Sequence, residues 1–163
     1  MDYAFKQFTR SFLLSAVIFF LPASYLGMDE FARWLLRNLI FLMIWILICF
    51  SAGYFAHWSG KNKFLYKRFE KWFQSASIEI REESLNKLPL KFRLPLMWSR
   101  CSRCMSYSLG GILSFTAALF YFYRPAWAAG LYFLFLGAST ASAFAMFLYF
   151  REEWILYKKE NQH

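Results

Sequence analysis

The chain contains 163 residues, of which 59% are hydrophobic, 23% aromatic and 18% charged. These fractions lie outside the range of soluble globular proteins and are typical of a membrane protein. We therefore expect one compact membrane domain over residues 1–163, with no room for a separate soluble enzyme domain. The formal net charge of +9 would also suit a nucleic-acid-binding protein, so the location of the charge has to decide between the two.

Four uncharged runs are close to or above the roughly 20 residues that a helix needs to cross a bilayer core about 30 Å thick. They predict an all-α polytopic fold with four transmembrane helices arranged as two hairpins. The first run contains Pro22, which a membrane helix tolerates, and we interpret this run as a retained span rather than a cleaved signal. The predicted spans are residues 11–28, 38–60, 104–123 and 125–150.

The excess charge lies between the second and third spans. Residues 61–103 hold 11 of the 19 Lys and Arg residues against four acidic residues, a difference of +7. Because Lys and Arg are retained in cytoplasmic loops, this segment, the polar helical tail at 151–163 and both termini are predicted to be cytosolic. The expected location is the inner (plasma) membrane, with residues 28–37 as a short external connector.

The central segment begins with an amphipathic pattern, in which Phe64, Leu65, Phe69 and Trp72 alternate with charged residues at helical spacing. This pattern predicts a helix that lies among anionic lipid headgroups or binds a partner protein. Aromatic rings among cations also suit nucleic acid, but a membrane-tethered loop favours lipid. The predicted contact residues are Lys61, Lys63, Lys67, Arg68, Lys71 and Trp72.

Two further pieces follow in the central segment. Residues 79–88 are polar and predict a water-facing helix. Pro89 and Pro95 then predict an extended connector over residues 90–98 that leads back to the bilayer.

Small residues recur on one face of the third span and one face of the fourth. Lipid supplies no hydrophobic drive between helices, so such residues favour close helix packing. One interpretation is that the third span packs on the fourth within the chain. The other is that the face over residues 137–145 meets a second copy in a homo-oligomer. The packing residues are Gly110, Ser114, Ala117, Gly130, Gly137, Ala141 and Ala145.

Cys101 and Cys104 form a C-x-x-C pattern flanked by Arg100 and Arg103. Basic neighbours favour thiol chemistry, but the pair is predicted on the reducing side of the membrane and lacks a second pair for relay. A zinc site needs four ligands, and the histidines are His57 and the terminal His163. We therefore expect no metal, no cofactor and no catalytic residue, with the cysteines as small residues at the start of a span.

No Asp, Glu, Lys or Arg lies within the four runs, which disfavours proton-coupled carriers and ion pumps. The leading hypothesis is a non-enzymatic membrane scaffold or sensor subunit that oligomerises and binds a cytosolic or membrane partner through its basic segment. By fold-level analogy, such proteins serve larger membrane machines or phage-defence, immunity and exclusion systems. One alternative is an oligomeric pore lined by Ser139, Thr140 and Ser142. The other is a membrane thiol oxidoreductase that uses Cys101 and Cys104.

Overall fold

A computed structural model describes residues 2–75, 90–122 and 127–160, and these residues form seven helices and no strand. Four of the helices are long and apolar enough to cross a membrane, namely α1, α3, α6 and α7. The predicted all-α fold with four helices of membrane-spanning length is thereby confirmed. The helices are α1 (Asp2–Leu26), α2 (Met28–Arg37), α3 (Leu39–Asn62), α4 (Phe64–Ser75), α5 (Leu90–Arg100), α6 (Ser102–Phe122) and α7 (Trp127–Glu160).

Two helices are longer than the uncharged runs that predicted them. The first begins at Asp2 rather than near residue 11, so the charged residues that precede the uncharged run are part of α1. The last has 34 residues and, at 1.5 Å per residue, is about 51 Å long. Because a bilayer core is about 30 Å thick, the charged final turns of α7 extend beyond it.

The predicted external connector at residues 28–37 is the helix α2. Gly27, with a φ of 81°, separates α1 from α2, and this conformation suits glycine because a Cβ is disfavoured there. Phe31 is the buried residue of α2, and its ring packs 5.6 Å from the ring of Phe19 in α1. The amphipathic α2 therefore closes the end of the bundle rather than forming an irregular turn.

Helix α7 is the centre of the bundle and packs against α1, α3 and α6. Tyr132 in α7 donates a hydrogen bond to the carbonyl of Phe19, and the ring of Phe147 lies 5.8 Å from that of Phe8. These pairs show that α1 and α7 are antiparallel. The first span thus packs chiefly on the fourth span.

Helices α6 and α7 approach each other through glycine. A Cβ added to Gly110 would lie 2.6 Å from the carbonyl oxygen of Gly137, so neither position has room for a side chain. Ala141 and Ala145 are fully buried, and a Cβ on Gly53 of α3 would meet the carbonyl oxygen of Ala141 at 2.6 Å. The face over residues 137–145 therefore lies inside the bundle, between α6 and α3, as intramolecular packing requires.

Aromatic rings fill the bundle toward the α2 end. Phe41 and Trp45 in α3 pack their rings 4.9 and 5.7 Å from the ring of Phe133 in α7, both edge to face. Trp45 also donates a hydrogen bond of 2.9 Å to Ser114 in α6, which is fully buried. Such rings bury large areas and prefer these tilted arrangements, so they hold α3, α6 and α7 together.

The extended connector predicted for residues 90–98 is wrong, since the chain is helical over Leu90–Arg100 with Pro95 inside the helix. Proline removes one backbone hydrogen bond in a helix interior. The opposing contribution is burial, because α5 packs on α4 and Leu96 is fully buried. Tertiary packing therefore outweighs the local preference that the two prolines express.

Candidate functional site at the basic end of the bundle

The long helices alternate in direction, which brings four helix termini together. Arg103 at the start of α6 donates a hydrogen bond to Gln7 near the start of α1. Ser102 lies 2.9 Å from the hydroxyl of Tyr149 in α7, and Lys61 at the end of α3 reaches Glu152 of the same helix. We call this end of the molecule the basic end.

Cations are concentrated at the basic end. Among the described residues, the opposite end carries Arg33 and Arg37 of α2, which are balanced by Asp29 and Glu30. The basic end is therefore the strongly cationic side of the described fold. Its cationic residues include Lys6, Arg10, Lys61, Lys63, Lys67, Arg68, Lys71, Arg93, Arg100, Arg103, Arg151, Lys158 and Lys159.

The sequence-predicted contact residues lie on α4 and the turn before it. Lys63 adopts a left-handed conformation with a φ of 50° and separates α3 from α4, so the chain changes direction there. The side chains of Lys61, Lys63, Lys67, Arg68 and Lys71 are all exposed. The side chain of Trp72 lies outside the described residues.

The opposite face of α4 packs on α5. Tyr66 is 2% exposed, and the guanidinium of Arg100 lies over its ring at 4.5 Å from the centroid. A cation in this position is attracted by the face of the ring. The α4–α5 pair is thus a small layer at the basic end, with its cations on the outer face.

A cluster of polar residues joins α3 to the last turns of α7. Lys61 Nζ lies 2.9 Å from both carboxylate oxygens of Glu152, and the Nε2 atom of His57 lies 3.2 Å from one of them. Glu152 follows the uncharged run at 125–150. The Lys61 ammonium holds the pKa of the Glu152 carboxyl below its ordinary value, and the contact with His57 acts in the same direction.

His57 lines a cavity of about 520 Å³ between α3 and α7. It is buried and packs edge-on against the ring of Tyr149, with 4.3 Å between the ring centroids. Tyr54, Trp58 and Arg151 line the same cavity. Aromatic and cationic side chains of this kind are typical of the headgroup level of a membrane.

A second cavity, of about 610 Å³, lies at the basic end among α1, α6 and α7. Cys101 and Cys104 both line it, and the thiol of Cys101 accepts a hydrogen bond of 3.2 Å from the backbone N–H of Cys104. The guanidinium of Arg103 also lines the cavity and lies 5.6 Å from the ring centroid of Tyr107. The pair that the sequence analysis treated as two small residues thus borders a sizeable cavity.

The hydroxyl groups proposed to line a pore are bonded within the chain. Each of the three residues has a hydrogen-bond partner in α1 or in its own helix. The contacts are Ser139 Oγ to the Leu136 carbonyl at 3.0 Å, Thr140 to Ser15 at 2.6 Å and Ser142 to Ser11 at 3.3 Å.

The structure brings together residues that the sequence analysis did not connect. Glu152 was treated as part of a polar tail and His57 as a histidine without a metal site, yet both belong to one cluster with Lys61. The position of Glu152 two residues after the end of an uncharged run was the available signal. In contrast, Gly110 and Gly137 meet in the structure as intramolecular packing of the third span on the fourth requires.

Among the described residues, no three His, Cys, Asp or Glu side chains are grouped closely enough to hold a metal ion. No family model matches the sequence, and no curated protein or solved structure matches the chain.

Proposed function

We propose that the protein is a non-enzymatic scaffold or sensor subunit, embedded in the inner (plasma) membrane, that binds a cytosolic or membrane partner through its basic end. The observation that carries this proposal is the concentration of cations where four helix termini meet, above all on the exposed face of α4. Whether the assembly is a larger membrane machine or a phage-defence, immunity or exclusion system rests on analogy with other small four-span proteins.

The proposed topology has the chain crossing the bilayer four times in two successive hairpins, with the basic end and both termini in the cytosol. The alternating helix directions support this topology, because an antiparallel arrangement returns the chain to the same side after each pair of spans. The charge asymmetry supports the orientation, since Lys and Arg are retained on the cytosolic side.

The exposed cations of α4 have two proposed binding partners. Near an anionic leaflet each Lys or Arg contributes about 1 kcal/mol of attraction, so Lys67, Arg68 and Lys71 together would hold α4 at the headgroups. The same surface would bind an acidic partner protein, and we propose the polar residues 79–88, which lie outside the described residues, as a second contact segment. Nucleic acid is the least favoured partner, because the surface lies beside the membrane.

A homo-oligomer remains part of the proposal, although its contact face is not the one over residues 137–145, which α3 and α6 occupy in the described bundle. Outward residues of α1 and α3 are the available membrane-facing surfaces for a second copy. The pore alternative receives less support, because its hydroxyl groups are hydrogen-bonded inside the chain.

The test compares two sets of charge-neutralising variants in lipid nanodiscs extracted from the same cells. In the first variant Lys67, Arg68 and Lys71 become Gln, and we expect the partner protein and the excess of anionic lipid to be lost from the purified discs. In the second variant, Arg33→Gln and Arg37→Gln remove cations from the opposite end. We expect this variant to retain the partner protein and the excess of anionic lipid.

A deletion of residues 79–88, replaced by a Gly/Ser segment of equal length, completes the experiment. We expect it to insert normally into the membrane and to lose the partner protein. Unchanged lipid and protein composition in both the α4 variant and this deletion would refute the proposed docking role.

A further inference from the structure

The C-x-x-C pair is located at the first turn of α6. The carbonyl of Cys101 accepts the helical hydrogen bond of Met105 at 2.9 Å, so Cys101 is the residue that precedes the helix. The backbone N–H of Cys104 donates a hydrogen bond of 3.2 Å to the thiol of Cys101. A side chain at the N-cap position of a helix makes a bond of this kind. The two cysteines therefore face each other across one helical turn.

This separation suits a disulfide. Residues three apart at the start of an α-helix have Cα atoms about 5 Å apart. A disulfide requires Cα atoms roughly 4.4 to 6.8 Å apart, so the pair can close without moving the backbone. Cys49, by contrast, is fully buried in the bundle and lines neither cavity.

The pair lies beside a helix N-terminus and a cation. The N-terminus of α6 carries a partial positive charge. The backbone N–H of Cys104, in the first turn of α6, points at the sulfur of Cys101. Arg103 is held in place by its hydrogen bond to Gln7 and lines the cavity beside the pair. Because Cys101 is the thiol that accepts this hydrogen bond from the helix N-terminus, we assign it as the attacking thiol.

The adjoining cavity has room for a substrate. Its volume of about 610 Å³ falls in the roughly 300–1,000 Å³ range of small-molecule sites. Tyr3, Tyr107 and Tyr149 contribute to its walls, and its charged groups are Arg103 and the carboxylate of Glu153. One cation and one anion in the lining suit a small peptide that carries both carboxylate and ammonium groups. The cationic surface of the basic end around the cavity favours a net negative charge on that peptide.

We propose that Cys101 and Cys104 form a dithiol–disulfide site that exchanges with a small anionic peptide disulfide of the glutathione class in this cavity. The Cys101 thiolate attacks one sulfur of the substrate disulfide, whose S–S bond breaks and releases one thiolate. Cys104 then loses its proton and attacks the Cys101 sulfur of the mixed disulfide, which releases the second thiolate. Two electrons pass to the substrate, the two thiolates take up the two protons, and the protein keeps an intramolecular disulfide.

The first experiment equilibrates the full chain in lipid nanodiscs with mixtures of reduced and oxidised glutathione, followed by alkylation and intact-mass analysis. After alkylation in denaturant, we expect the oxidised form to carry one alkyl group, at Cys49, where the reduced form carries three, with the disulfide mapped to Cys101 and Cys104. Thiols that stay free under oxidised glutathione, or disulfides that form between copies, would overturn the proposal.

Single variants test the order of attack. Serine also caps a helix, so both substitutions preserve the start of α6. Cys104→Ser should accumulate a mixed disulfide between Cys101 and glutathione, whereas Cys101→Ser should form the corresponding adduct about tenfold more slowly. Equal rates would contradict the assignment of Cys101 as the attacking thiol.

The choice of an anionic substrate has its own test. The rate with oxidised glutathione, divided by the rate with neutral hydroxyethyl disulfide, should fall when Arg103 becomes Gln and when salt is added. A ratio that does not change in either case would exclude electrostatic selection. The scaffold proposal does not depend on these results, because the α4 variants and the deletion leave both cysteines in place.

Discussion

Gly110 and Gly137 are the residues that allow α6 and α7 to approach so closely. A Cβ on Gly110 would meet the carbonyl oxygen of Gly137 at 2.6 Å, and this backbone atom cannot rotate away. In lipid, close backbone approach of this kind supplies much of the attraction between helices. A single methyl group at this position is therefore enough to separate the two helices.

We predict that Gly110→Ala destabilises the bundle by about 1–3 kcal/mol, as overpacking of a well-packed core does. The measurement is reversible unfolding in mixed detergent micelles, followed by helical circular dichroism. Gly130→Ala is the matched control, because its added Cβ would meet side-chain atoms of Phe115 and Leu119, which can move. Equal destabilisation by the two variants would contradict backbone contact as the cause.

At the scale of helices, the α4–α5 pair depends on burial rather than on local preference. Leu96 is fully buried in α5, whereas Leu94 in the same helix is 55% exposed. Because Pro95 separates them and weakens the helix, α5 needs the buried contact to keep its conformation. The exposed cations of α4 are in turn oriented by α5, since the two helices pack together.

We predict that Leu96→Ala loosens this pair at a local cost of about 2–5 kcal/mol, the usual range for a buried Leu→Ala change. Amide hydrogen exchange over residues 64–71 and 90–100 should become faster, while exchange in α6 and α7 stays slow. The matched control is Leu94→Ala, which removes the same atoms from an exposed position and should leave exchange nearly unchanged. Identical exchange in both variants would show that Leu96 does not hold the pair together.

For the whole molecule, the direction of each long helix and the distribution of charge agree with each other. The helix termini that meet at the basic end include every described Lys and Arg except the two in α2. Moving this end through a bilayer would transfer many cations across the hydrocarbon core, which is strongly unfavourable. The orientation of the protein should therefore be uniform in the membrane.

We predict that Lys71→Cys is labelled from the cytosolic side alone, in a chain whose three native cysteines are replaced by Ser. The measurement uses a membrane-impermeant maleimide on intact cells and on inverted membrane vesicles. Arg33→Cys in the same background is the control and should show the reverse pattern, because α2 lies at the opposite end of the bundle. Labelling of Lys71→Cys in intact cells would disprove the proposed orientation.

The length of the uncharged runs and the position of the cations were sufficient to predict four helices of spanning length and one strongly basic segment. Both properties are local, since hydropathy and helix rise act residue by residue along the chain. The same kind of pattern predicted the amphipathic character of α4, and it marked Gly110 and Gly137 as packing residues without deciding whether their partner lies in the same chain.

The identity of each helix's neighbours was decided by the tertiary structure. The sequence predicted two hairpins without identifying a packing partner for the first span, and side-chain fit and hydroxyl contacts pair α1 with α7. The helical state of residues 90–100 accompanies packing of α5 against α4, α6 and α3. The cluster of His57, Lys61 and Glu152 joins positions 91 and 95 residues apart. These features depend on complementary surfaces from distant parts of the chain, which a local pattern of polarity does not encode.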